Sequence, residues 1–76
     1  MTAQQELEEF EDLAFTYMGP IYDRAVRLSQ NTALADDLVQ NTYSQAYYRF
    51  REYDHRTDFF TWLLDIFDTV QEEAFV

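Results

Sequence analysis

Catalysis needs titratable or nucleophilic side chains at workable spacing, and this 76-residue chain offers few. Asp36 and Asp37 form an adjacent carboxylate pair where an apolar-periodic segment begins. Acids are favoured at a helix start by the positive end of its dipole, so the pair reads as helix charge before it reads as an acid and a base. His55 is the single histidine, and without a second histidine or any cysteine it cannot anchor a zinc site. The acids do not fall into the glycine-turned spacing of a calcium loop. Ser29 and Ser44 have no base nearby in sequence, and no glycine-rich phosphate loop is present. On these residues the chain is expected to be no enzyme and to carry neither metal nor cofactor. The aromatics Tyr43, Tyr47, Tyr48, Phe50 and Tyr53 suggest another chemistry, the stacking of bases on rings. Tyr43, Tyr47 and Phe50 fall on a helix face shared with leucine and valine and are expected in the core. Tyr48 and Tyr53 are expected at the surface.

The elements that must hold these residues follow from apolar spacing. One Gly and one Pro, with 47% hydrophobic residues, favour helices joined by short connections. Leu7, Phe10, Ala14 and Tyr17 recur at steps of three and four, which predicts a first helix. Gly19 and Pro20 are expected to end it and to start a second, carrying Ile21, Ala25 and Leu28 on one face. Asn31 or Thr32 can cap a third helix over roughly 33–50. Its ridges are Leu34, Leu38, Thr42 and Ala46, and beside them Val39, Tyr43, Tyr47 and Phe50. Left outside this apolar face are Asp36, Asp37, Gln40, Asn41, Ser44 and Gln45, of which Asp37, Gln40, Asn41 and Ser44 lie close together by three-and-four spacing. A polar connection, "REYDHRTD", leads to a last helix capped by Thr57 or Asp58, with Phe59, Trp62, Leu63, Ile66 and Val70 inward. Trp62 is expected to be largely buried against the third helix. The fold class predicted is an all-α, compact bundle of three to four helices in a single domain over 1–76.

Charge limits the partners. Fifteen acids face five arginines and no lysine, for a formal net charge of −10. Residues 1–23 and 57–76 contain no base, so Arg24, Arg27, Arg49, Arg51 and Arg56 all lie between them. Phosphate backbones are repelled by such a surface unless the arginines converge. No apolar run approaches about 18 residues, and the N-terminus has no basic region ahead of an apolar one. A soluble, cytoplasmic protein with no membrane partner is expected.

The order of residues also resembles a known family. "DLVQNTYSQAY" is similar to D-L-V-Q-E-T-F-x-x-A-W, and "FFTWLLDI" to F-R-T-W-L-x-x-I. These are the strongest pieces of a resemblance to region 2 of bacterial RNA polymerase sigma factors of the small extracytoplasmic-function type. The resemblance runs from about Phe10 to Val70. It implies a sigma region 2-like helical fold and docking of the third helix on the clamp helices of the polymerase β′ subunit. The docking positions it implies are Asp37, Gln40, Asn41, Ser44 and Gln45, with Leu38 and Thr42 also matching the motif. Asn41 stands where the family has Glu, and Gln45 where a base is common, so two charges of that contact are missing. For promoter DNA the family uses the following loop and the last helix, which implies Tyr53, His55, Arg56, Phe60 and Thr61 here. The family's last helix reads F-R-T-W-L-x-R-I-A-R-N. Phe60, Asp65 and Asp68 occupy its three arginine positions, and Thr69 its asparagine. Weakened or lost DNA contact is therefore expected. The alternatives are a sigma mimic that binds an anti-sigma factor or competes for the clamp, and a helical interaction module of sigma ancestry.

Overall fold

The computed structural model describes residues 3–74. Helix α1 spans Ala3–Ser29, α2 Thr32–Arg49 and α3 Phe59–Ala74, and a 3-10 turn occupies Phe50–Glu52. No strand occurs among the described residues, so the fold is all-α.

The expected break at Gly19–Pro20 is absent, and two predicted helices are one. A proline inside a helix removes one backbone hydrogen bond and crowds the carbonyl four residues earlier, here Thr16, at a cost of about 3 kcal/mol. Two features offset it. Gly19 has no Cβ to clash with the ring that follows, and its φ is not positive, so it does not form the left-handed stop that glycine often provides. Phe10 and Ala14 before the proline and Ile21 and Ala25 after it are all buried, so the packed stripe continues across the site. The left-handed residue that ends α1 is Gln30, at φ 54°.

Asn31 caps α2, its Oδ1 accepting from the Leu34 N–H at 3.0 Å. Ala35, Leu38, Val39, Thr42 and Ala46 form the buried face. Thr42 is fully enclosed, and its hydroxyl donates to the Leu38 carbonyl at 2.7 Å, so the polar group is satisfied. Leu28 and Leu34, expected on buried ridges, are exposed on either side of the α1–α2 turn. Asp58 caps α3: its Oδ2 accepts from Thr61 N–H at 3.1 Å and its carbonyl from Trp62 N–H at 3.0 Å.

Helix α3 contacts both other helices, which widens its buried face beyond the expected stripe to include Phe67, with no exposed surface. Trp62 is only half-buried. It leans on the rings of Phe50, Tyr53 and Phe59, with centroids 6.3, 5.0 and 5.5 Å away, and so covers the 3-10 turn. Contacts advance in opposite directions along α1 and α2, from Ala14–Tyr43 to Phe10–Tyr47, so these helices are antiparallel. Tyr17–Phe60 and Arg24–Asp68 advance together, so α1 and α3 are parallel. No helix among the described residues is long and apolar enough to cross a membrane.

Replacing Pro20 with alanine restores an N–H to bond the Thr16 carbonyl. Pro20→Ala is expected to stabilise the domain by up to about 3 kcal/mol, seen as a higher midpoint in thermal denaturation. A lower midpoint would contradict a helix that runs through this position.

Candidate functional site

The outward face of α2 carries the predicted docking residues. Asp37, Gln40, Asn41 and Ser44 are exposed and Gln45 is half-buried. Positions 37, 41 and 45 form one row and 40 and 44 the next, at the four-residue step that stacks side chains on a helix. None of the five makes a side-chain hydrogen bond or ion pair among the described residues, so their donors and acceptors face solvent.

The predicted nucleic-acid residues gather at the opposite connection, around the turn and the first turn of α3. The structure corrects the exposure expected for Tyr53. It is 9% exposed, packs on Phe50 and Phe59, and donates its hydroxyl to the Thr57 carbonyl. Burial raises its phenol pKa, helped by the charge of Asp58. Its ring is core and is not presented for stacking. His55 has a left-handed backbone, φ 65°, and its Nε2 lies 2.9 Å from Glu9 Oε1 on α1. Asp54 Oδ1 accepts the backbone N–H of Arg56 at 2.9 Å, which holds its carboxyl below the usual range. The Arg56 side chain is exposed and forms no ion pair among the described residues. Phe60 stacks on Tyr17 with centroids 5.0 Å apart and planes 12° apart, and Thr61 is held by the Asp58 cap. The loop thus offers one free cation, and its aromatics are spent on packing.

Along α3, Thr61 and Asp65 are exposed, Asp68 is half-buried and Glu72 is exposed, forming one outward row at helical spacing. The helix has no basic residue. The nearest cation is Arg24 of α1, whose guanidinium lies 3.9 Å from Asp68.

Sequence reasoning missed a feature of α1. Phe15 is 77% exposed and Met18 is 45% exposed, beside Gln40 and Ser44 of α2. The signal was available: Phe15 lies one step off the stripe Phe10–Ala14–Tyr17, which turns it about 100° from the core direction. Tyr47, expected in the core, is 47% exposed, and Tyr48 is fully outward as expected. Tyr47 still touches Phe10, with centroids 5.4 Å apart, but only one side of its ring is covered. Tyr43 is half-buried, and its hydroxyl donates to the Ala14 carbonyl at 3.0 Å, tying α2 to α1.

Residues 13–68 match the family model for sigma-70 region 2. The chain belongs to the sigma-70 region 2 family. No solved structure matches it. Region 2 domains of sigma factors bind the RNA polymerase core and act in transcription initiation, and they are not enzymes. The matched span takes in the second half of α1, all of α2, the connecting loop and most of α3. The polar face of α2 and the acidic row of α3 as far as Asp68 therefore lie on the region 2 scaffold.

Tyr43 gives the scaffold a distinctive alkaline response. Desolvation pushes its phenol up to about 12. A raised folded-state pKa leaves stability intact below the unfolded value near 10, and removes it as pH climbs through 10 to 12. The chain has no lysine to titrate in that range. Tyr43→Phe is expected to flatten the fall in unfolding free energy between about pH 10 and 12 in urea titrations, while costing about 0.5–1.5 kcal/mol at neutral pH for the lost hydrogen bond. An unchanged alkaline slope would show that Tyr43 ionises as freely in the folded chain.

Proposed function

We propose that the chain is a sigma region 2 module of the extracytoplasmic-function type that docks on the β′ clamp helices in the cytoplasm, with promoter DNA contacts weakened or lost. The observation that carries this reading is the contrast between two helices on one scaffold. On α2, Asp37, Gln40, Asn41, Ser44 and Gln45 lie together with unspent hydrogen-bonding capacity. On α3, the outward row carries Asp65, Asp68 and Glu72 and no base. Each amide or hydroxyl that finds a partner contributes about 0.5–1.5 kcal/mol net, so docking can persist without the two charges the family pattern has. Phosphate contact cannot be replaced in the same way, because neutralisation by cations dominates nucleic-acid affinity.

The acidic row supports a second reading, a sigma mimic that engages an anti-sigma factor or competes for the clamp without opening a promoter. The two readings share the α2 face and part on whether DNA is bound at all.

Gln40→Ala and Asp37→Ala are expected to weaken binding to isolated β′ clamp helices and to leave the thermal midpoint nearly unchanged, since exposed substitutions stay within about 0.5 kcal/mol of neutral. Unchanged affinity in both variants removes the clamp from the partners.

For DNA, the domain is expected to show no measurable binding to a melted promoter strand at physiological salt. Three phosphate contacts from Arg49, Arg51 and Arg56 would give a salt slope of only about −2 on single strands. Asp65→Arg with Asp68→Arg is expected to create binding that the parent lacks. Tight, sequence-dependent binding by the parent would return the domain to ordinary sigma function.

A further inference from the structure

A largely apolar groove lies between α1 and α2. Phe10, Ala14, Val39 and Tyr43 form its floor, with Phe15 and Met18 on one wall and Gln40 and Ser44 on the other; its volume is about 550 Å³. Ser44 also lines the adjoining depression, where Tyr47, Tyr48 and Arg51 continue the same face. From Met18 back to Glu6 the combined surface follows thirteen residues of α1, a rise of about 18 Å or just over three helical turns. Single exposed apolar side chains are ordinary, but a contiguous row of this kind marks an interaction surface.

The rim identifies what fits. Glu11 lines the groove, and Glu8 and Asp12 lie beside it on α1. Asp36 and Asp37 lie on α2, one turn before Gln40. All five are exposed, and none is ion-paired among the described residues. Arg27 and Arg24 pair away from the groove, with Asp23 and Asp68, and Arg51 pairs with Glu6 in the adjoining depression. Arg49 and Arg56 form no ion pair among the described residues, and the groove itself has no basic lining residue. A nucleic acid or an anionic membrane would be repelled here. A second copy would bring like charges together, in a chain whose net charge is −10.

We propose that the α1–α2 groove takes an amphipathic helix whose apolar row is flanked by arginine or lysine, with Phe15 and Met18 as the apolar anchors. This rests on the docking reading for the location of the surface and adds the chemistry of the partner. The apolar row fills the groove beside Phe15, and the flanking cations meet Glu8, Glu11 and Asp12 on one side and Asp36 and Asp37 on the other. It is the helix-in-groove mode of recognition, in which a few apolar side chains supply most of the affinity and charge sets the orientation.

The test uses a synthetic leucine–arginine amphipathic peptide of about 18 residues and its glutamate-flanked counterpart, with binding followed by the Met18 methyl resonance. The expected result is saturable binding of the arginine peptide with a shift at Met18, no binding of the glutamate peptide, and about tenfold weaker binding by Phe15→Ala. Phe15 is so exposed that the variant should fold as the parent does. Equal binding by Phe15→Ala would show attraction by charge alone and overturn the proposal, as would saturation without a shift at Met18. Concentration-dependent dimerisation lost in Phe15→Ala would overturn it in favour of a second copy. The clamp helices separate the two readings. Affinity lost in Gln40→Ala but not in Phe15→Ala keeps clamp docking and removes the groove. Peptide binding as expected, with no binding to clamp helices, keeps the groove and removes the clamp.

Discussion

Burial of Phe10, Ala14, Ile21 and Ala25 against α2 carries α1 through Gly19 and Pro20, and the placement of every surface residue depends on it. The contact is made close by small side chains: Ala25, Ala35 and Ala46 have no exposed surface. Because the register is held on both sides of the proline, Phe15 and Met18 stand beside Gln40 and Ser44 of α2. The same register sets Tyr17 under Phe60 and Arg24 beside Asp68. If α1 broke at Pro20, Ile21 and Ala25 would no longer hold the register of the segment that carries Phe15 and Met18. Arg24 would also lose its fixed position against α3.

Charge then divides the surface. Each of the three arginine–carboxylate pairs among the described residues involves α1, as does the His55–Glu9 contact, and three of these four join it to other parts of the chain. Their side chains are mostly more than half exposed, so they add little to stability. Their larger effect is to consume cations. What remains unpaired around the α1–α2 groove is acidic, with Arg49 at the far end of α2, and what remains on α3 is acidic too. The α1–α2 face differs in combining its charge with apolar surface and free amides. On the proposed reading a face of that composition suits a basic protein partner, whereas α3 itself supplies no base for a phosphate.

Much of this was legible in the residues. The stripes Phe10–Ala14 and Leu38–Thr42–Ala46 and the caps at Asn31 and Asp58 have the spacing that elementary helix geometry demands. The motif residues of α2 were separable from the core by the same arithmetic. Gly19–Pro20 misled because local signals favour a break, while the packing that overrides them is a tertiary property. Tyr53 misled for a related reason. It follows a polar stretch, yet the 3-10 turn after α2 folds it back over Phe50, and a local pattern holds no record of that turn. Tyr47 and Trp62 lie at the edges of their stripes, where a helix neighbour covers one side of a ring and leaves the other in water.

The most direct measurement is hydrogen exchange of the domain with and without RNA polymerase core, resolved along the three helices. The account predicts new protection over α2 from Asp37 to Tyr48 and over the facing part of α1 from Glu8 to Met18, with the Thr61–Glu72 row of α3 unchanged. Protection concentrated on that α3 row, with the α1–α2 face unaffected, would contradict it.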